Sequence, residues 1–334
     1  MNRTNVVLIK SIRTTILLWA GLCLLVVAAG STIYAGYVEY STSIVEATKE
    51  LQSFAQAGGA AVDAEIEVPL DVGRTLAQAL VSVVNEKNDL SREQVNAMLR
   101  EVLAQNPTFL GVYTAWEPDA FDGKDSQYVN AIGHDATGRF LPYWVRSGGK
   151  IIVEPLLDLE TSDYYTLPKS LKEEVVLDPY TYPIEGVETL LTSAIVPIVV
   201  NGKFYGMAGV DLAVDFLQKS VEEIELGANN ENITIVSYQG LIVADKNNPG
   251  LIGQSLEKLY ADWETDLTKI QAGEIFVEEK EGSILVFSPI RFGNTNTPWS
   301  YVVAVPRVEV TRQALQATFR LVVIIAMLAL LSLG

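Results

Sequence analysis

LLTSAIVPIVVNGKFYGMAGVDL, residues Leu190 to Leu212, decides how the chain is read. Two runs rich in β-branched and aromatic residues flank Asn201-Gly202, a pair that tolerates the positive φ of a two-residue turn between antiparallel strands. The spacing predicts strands over Leu190–Val200 and Phe204–Leu212, joined as a hairpin. Asp211 closes the second strand, and a carboxylate in a Gly-rich strand end is either a local hydrogen-bond acceptor or a binding group.

Toward the N-terminus, FLGVYTAW (Phe109–Trp116) and RFLPYWVR (Arg139–Arg146) predict two more strands, separated by Gly, Pro, Asn and Asp turns. The pattern is an antiparallel sheet with helices on one side, an α+β unit. WEPDAFDGKD (Trp116–Asp125), SDYYTLPK (Ser162–Lys169) and DPYTYP (Asp178–Pro183) place rings and carboxylates where turns interrupt the strands. That is the composition of a small-molecule pocket rather than of a plain core. Toward the C-terminus, a helix over Phe216–Leu226 leads into a second, smaller sheet of the same kind. Asn232–Asn247 reads as strand, turn at Gln239-Gly240 and strand, Ser255–Gln271 as a helix, and Glu274–Lys280, Ser283–Phe292 and Trp299–Arg307 as strands. No sequence period aligns the two sheets.

The flanks point to a membrane. Thr14 to Val38 is about 25 residues without a charge, which at ~1.5 Å per residue exceeds the ~30 Å hydrocarbon layer. A signal peptide has a shorter apolar core, so a retained anchor is expected. Arg3, Lys10 and Arg13 precede this run and Glu39 and Glu46 follow it, which orients residues 1–13 toward the cytoplasm and the bulk of the chain outside. Ile44, Leu51, Phe54, Ala55, Val62 and Ile66 continue one apolar stripe on a rod expected to end near Pro69. A second helical pattern carries Val72, Leu76, Leu80 and Val83, and a third opens at Ser91 with Gln94 in capping-box position and ends at Asn106-Pro107. After Arg320 come about 14 apolar residues, short of the ~20 that a span needs, as expected for a second membrane helix cut short.

Composition narrows the function. The net charge is −17 over 334 residues, which offers no basic stripe for a nucleic acid. The single cysteine, Cys23, forms no internal disulfide. The single histidine, His134, is expected in a surface turn; with no second His and no usable Cys a zinc site has no support, and a Ser-His-Asp hydrolase lacks a G-x-S-x-G motif to supply its nucleophile. Asp119, Asp122 and Asp125 lack EF-hand spacing and are expected to form a solvated turn. No cofactor, metal or enzymatic activity is expected.

WEPDAFDGKD, GRFLPYW, DYYTLPK, DPYTYP with Gly186, GVDL and NNPGLIGQSLEKL (Asn247–Leu259), together with the order of anchor, long helix, larger unit, smaller unit and second anchor, resemble the double Cache sensor regions of bacterial chemoreceptors and sensor kinases. The resemblance spans roughly Val38 to Thr318. It implies a long helix carrying two PAS-like Cache units: helix and helical cover over 39–106, a ligand-binding membrane-distal unit over 107–215, a membrane-proximal unit over 216–318 and a second membrane helix from 319. It also implies a homodimer in the bacterial inner membrane whose output part is a methyl-accepting chemotaxis domain. A histidine kinase or cyclic-dinucleotide synthase is the alternative output, and an adhesion or scaffolding protein with no small ligand is the remaining rival.

Amino-acid-sensing members of that group carry an Arg-x-Trp-Tyr run, a later Tyr-x-Asp and an Asp in the GVD turn. The corresponding positions here are Ser162-Asp163-Tyr164-Tyr165, Tyr180 with Tyr182, and Asp211, so the carboxylate-clamping Arg is replaced while the ammonium-binding Asp stays. This is similar to amine-sensing relatives. The chemistry agrees: an α-carboxylate without an Arg fork is left unpaired, whereas a carboxylate ringed by phenols and indoles suits a desolvated cation. The expected ligand is a small amine contacted by Trp116, Tyr143, Trp144, Asp163, Tyr164, Tyr165, Tyr180, Tyr182 and Asp211, with purines and amino acids as competing classes. Trp116 and Asp122 also fit a turn-holding role.

Overall fold

The computed structural model describes residues 12–86, 90–224 and 231–333. Helix α1 (Ile12–Glu86) is a single helix of 75 residues on which both sheets are mounted. Its first part is apolar and exposed, and it runs beside α6 (Arg307–Leu333), with Gly36 against Thr318. Both helices are long and apolar enough to cross a membrane.

The rod does not end at Pro69. A proline inside a helix removes one hydrogen bond and crowds the carbonyl four residues back, a penalty of ~3 kcal/mol. Ile66, Leu70, Leu76 and Leu80 around it are all buried, and full burial of such a side chain is worth roughly 1.5–3 kcal/mol. Arg74 adds a brace, reaching Glu67 and Asp71 on either side of the proline as well as Glu174 on the neighbouring unit. Tertiary packing therefore carries the helix through to Glu86.

Helix α2 (Arg92–Gln105) starts with the expected capping box: Ser91 Oγ accepts from Gln94 N at 3.2 Å, and Gln94 Oε1 accepts from Ser91 N at 2.8 Å. The first sheet is entirely antiparallel, in the order β3 (Lys150–Pro155), β2 (Pro142–Ser147), β1 (Gly111–Trp116), β7 (Lys203–Ala213), β6 (Val187–Val200), β4 (Val175–Val176), with β5 (Tyr180–Ile184) also on β6. Asn201 and Gly202 have φ of 52° and 75° and close the β6–β7 hairpin as the sequence predicts. One face of the sheet lies on α1 and α2, and the other is covered by α3 (Asp163–Leu171). The SDYYTLPK stretch is thus helical rather than a turn.

The second sheet runs β10 (Phe276–Lys280), β11 (Ser283–Ile290), β12 (Trp299–Pro306), β8 (Asn232–Val236), β9 (Ile242–Asp245) and follows α4 (Asp215–Glu222). The single helix expected over Ser255–Gln271 is two pieces: a 3-10 turn at Leu256–Lys258, capped by Ser255 Oγ on Glu257 N, and α5 (Trp263–Gln271). Leu256 and Ile270 anchor the two pieces separately on the sheet. The second sheet meets α1 where Gly58 makes room for the Tyr301 ring, and the first where Gly73 lies against Ala194, Val196 and Ala208. Helix α4 ends at Glu222, and the last two positions of the helix expected to reach Leu226 lie outside the described residues.

Candidate functional site

Strand register assembles the site. Asp211 on β7 is paired with Gly111 on β1 and with Ser193 on β6, while Tyr113 is paired with Gly209 and Tyr143. Side chains alternate across a sheet, so Gly111, Tyr113 and Ala115 turn to the face under α3, and Val112, Thr114 and Trp116 to the face on α1 and α2. A Cβ at Gly111 would overlap the Tyr143 ring, and one at Gly209 the Tyr113 ring. The two glycines let both phenols lie across the strands, with their hydroxyls close enough to Asp211 to favour its charged form.

Asp211 is buried, and burial pushes its carboxyl up to about 7. Ser193 Oγ donates to its Oδ1 at 2.6 Å, and Ser193 in turn lies 2.8 Å from the Tyr180 hydroxyl. The Tyr113 and Tyr143 hydroxyls complete no hydrogen bond, although both are buried. No lysine or arginine is among the groups that shift the Asp211 carboxyl. A buried carboxylate with one strong donor and two idle ones has unspent capacity to accept.

Five tyrosine rings surround it. Tyr143 stands edge-on to Tyr113 at 5.7 Å and to Tyr182 at 5.5 Å, Tyr164 is edge-on to Tyr182 at 6.0 Å, and Tyr164 and Tyr180 are nearly parallel at 6.3 Å. The Tyr164 hydroxyl donates to Leu157 O, and the Tyr182 hydroxyl accepts from Leu157 N at 3.1 Å, which pins these two rings to the β3–α3 connection. Burial raises all five phenols, so they remain neutral at physiological pH. On the outer side, Tyr164 and Tyr180 form one wall of a cleft of about 330 Å³ whose other wall includes Asp178, Gln239 and Leu241.

The expected contacts divide sharply. Tyr143, Tyr164, Tyr180, Tyr182 and Asp211 come together, and Asp163 lies on the outer cleft. Trp116 and Trp144 are on the opposite face: Trp116 packs edge-on to Phe121, and Trp144 Nε1 donates to Asn96 of α2 at 2.9 Å. Tyr165 sits apart with Phe204 and bonds Glu117 and Arg139. Two members escaped the sequence reading, Tyr113 and Ser193, and the alternation in GVY and the β6 register are the signals that point to them.

The remaining candidates are structural. Asp122 and Asp125 both bond Arg92 at 2.6 Å, and Asp125 also ties back to the Asp119 backbone, so the turn is ion-paired rather than merely solvated. His134 is buried, not on the surface, stacked on Tyr128 at 5.0 Å with Nδ1 on Ile132 O. Its neighbours Gly133 and Gly138 take the positive φ that folds the turn inward over the ring. Among the described residues, no cluster of His, Cys, Asp or Glu could hold a metal ion.

Most of the chain matches a known family: the Cache domain family, dCache_1, aligns with residues 41–314. The chain belongs to the Cache domain family. Methyl-accepting chemotaxis protein TlpQ of Pseudomonas aeruginosa is 30% identical over 234 residues, 65% of this chain and 33% of that protein. The chain thus spans about a third of the length of this curated relative. The extracellular domain of the putative histidine kinase mmHK1S-Z3 superposes with a TM-score of 0.73 at 30% identity, covering 81% of this chain and 98% of that one. The periplasmic sensory domain of the Campylobacter jejuni chemoreceptor Tlp1 shares the fold, with a TM-score of 0.64 at 12% identity over 80% and 98% of the two chains. The Cache fold expected from the sequence is therefore the fold observed.

Proposed function

We propose that this chain is the sensory region of a transmembrane chemoreceptor whose first Cache unit binds a small cationic amine at Asp211. The observation that carries the reading is the unspent carboxylate: Asp211 is buried with one strong donor, the idle hydroxyls of Tyr113 and Tyr143 beside it and no basic partner. An ammonium supplies the missing charge and donors, and each well-placed ring adds ~0.5–2 kcal/mol of cation–π attraction. An amino-acid zwitterion would bring a carboxylate into this enclosure with no guanidinium to meet it. A planar nitrogen heterocycle is the second reading, favoured by the near-parallel rings of Tyr164 and Tyr180.

In this reading α1 and α6 cross the inner membrane, the first unit (107–215) is membrane-distal, and the second (216–318) is membrane-proximal. The receptor is a homodimer. Binding shifts the balance of two states by its differential affinity, and the helices pass the change to a cytoplasmic methyl-accepting domain; a kinase output uses the same sensor. The region acts as a binder, not a catalyst. The test is calorimetric titration of the full chain in detergent with 1,4-diaminobutane, 2-phenylethylamine, glycine, adenine and succinate. Binding of either amine with no response to glycine or succinate is expected. Binding of succinate or glycine in preference to both amines would overturn the proposal, and adenine alone would select the second reading.

A further inference from the structure

The segment from α3 to β5 runs from the aromatic enclosure to the second unit and to α1. Tyr164 sits at its start and Tyr180 at its end. Between them only Val175 and Val176 join the sheet, paired with Ile195 and Ala194 of β6. Two half-buried carboxylates bracket this short strand, and both reach beyond the first sheet.

Glu174 accepts from Arg74 of α1 through both oxygens at 2.7 Å, and its Oε1 also accepts from the Asn294 backbone N at 2.5 Å, in the β11–β12 loop. Gly293 next to it has φ of 44°, and a Cβ there would overlap Arg74 and Glu174, so loop, rod and strap interlock without slack. Asp178 accepts from Gln239 N at 3.4 Å in the β8–β9 turn, with Ser237 and Tyr238 also placed to favour its charge. Each carboxylate thus holds a different loop of the second unit.

The strap is also wired to the enclosure. Leu177 N donates to Ser193 O at 3.0 Å, and Thr192 Oγ1 donates to Leu177 O at 2.6 Å. The Oγ of that same Ser193 donates to Asp211. A cation at Asp211 competes for the oxygen that Ser193 now occupies, and Ser193 is one hydrogen bond from the residue before Asp178.

We infer that the Glu174–Asp178 strap is the element that couples occupancy of the Asp211 enclosure to the second Cache unit, Glu174 acting on the β11–β12 loop and Asp178 on the β8–β9 turn. This rests on the binding site proposed above, although the linkage itself does not depend on the ligand's class. Among the described residues, this run combines two enclosure rings with hydrogen bonds to the β8–β9 turn, the β11–β12 loop and the rod.

Hydrogen–deuterium exchange on the full chain in nanodiscs tests it, with 1,4-diaminobutane as probe. In the unmodified chain the probe slows exchange at residues 237–241 and 291–296. Glu174→Ala is expected to reduce the slowing at 291–296 by roughly tenfold and to spare 237–241, and Asp178→Asn to do the reverse, within the range that coupling residues modulate. The spared loop in each variant reports that the fold is intact. A ligand-free arm uses Ser193→Ala, which should speed exchange at 237–241 about fivefold, and not when combined with Asp178→Asn. Full slowing at both loops in both variants would overturn the inference. If the probe does not bind, the amine reading fails and the ligand-free arm decides: no acceleration in Ser193→Ala, or the same acceleration with Asp178→Asn, removes the strap.

Discussion

Asp211 on β7 and Asp245 at the end of β9 are both buried carboxylates on antiparallel strands, one in each sheet, and their surroundings differ in kind. Asp245 accepts from Asn232 Nδ2 at 3.0 Å, Thr234 Oγ1 at 2.8 Å, Asn247 N at 3.1 Å and Asn248 N at 2.8 Å. Gln218 bonds its backbone on both sides at 2.9 Å. Asp211 has Ser193 and two hydroxyls that reach toward it without closing. A buried charge that its own chain saturates is a fastener. One that its own chain leaves short waits for something from outside.

The strongest way to break this contrast is to remove each carboxylate in turn. Asp211→Ala should weaken binding of 1,4-diaminobutane by at least about 30-fold, since truncating one partner of a buried charge pair costs ~2–5 kcal/mol. Asp245→Ala should leave that affinity within a few-fold, and calorimetric titration of both variants decides. Stability should respond the other way. Asp245→Ala strands several donors and should lower unfolding free energy by about 3 kcal/mol, read by urea denaturation.

Asp211→Asn is expected to raise the ligand-free melting temperature at pH 8. The carboxyl moves from 3.8 in the unfolded chain to about 7 in the fold, so between these values the native state holds the proton more tightly. Its stabilising contribution is complete below about pH 4, declines as pH rises and is gone above about pH 7. At pH 8 the ligand-free fold carries a buried charge that Asn lacks, a difference on the order of a few kcal/mol, or roughly 5 °C or more.

The same titration sharpens the comparison from the ligand side. A cation needs the ionised carboxylate, so amine affinity should fall by about tenfold per pH unit below 7, with a proton released on binding. Titrations in buffers of different ionisation enthalpy measure that proton; a flat affinity from pH 5 to 8 would contradict the assignment. The smallest effect is expected from Tyr180→Phe, which removes the hydroxyl behind Ser193 and should cost about 1 kcal/mol, roughly fivefold in affinity.

Much of this was legible in the sequence. Asn201-Gly202 fixes the hairpin locally, but the partner of Asp211 does not follow from the turn alone, because an irregularity between Ile198 and Val199 shifts the pairing by one residue and sets Asp211 opposite Ser193. Which aromatic residues join Asp211 was not legible. Tyr143 and Trp144 are adjacent, as are Tyr164 and Tyr165, and composition treats the members of each pair alike. Alternation sends Trp144 to Asn96 and Tyr143 to Asp211, but only once β1 is known to lie between β2 and β7, a non-local fact. Tyr113 was hidden for the same reason, within a strand that reads as ordinary core. Pro69 misled because a local rule was outweighed by packing against sheets more than 100 residues away along the chain.

The unbroken rod of α1 constrains what kind of message can travel. At ~1.5 Å per residue its 75 residues form a shaft of ~110 Å, helical without interruption through Pro69 from the apex to the apolar N-terminal portion. In the receptor proposed here, a lateral nudge at the top dwindles in proportion as it nears a fulcrum in the bilayer, whereas a slide along the axis or a twist about it arrives whole. A stiff shaft of this length therefore filters its input, and pistons and screws pass where levers fade.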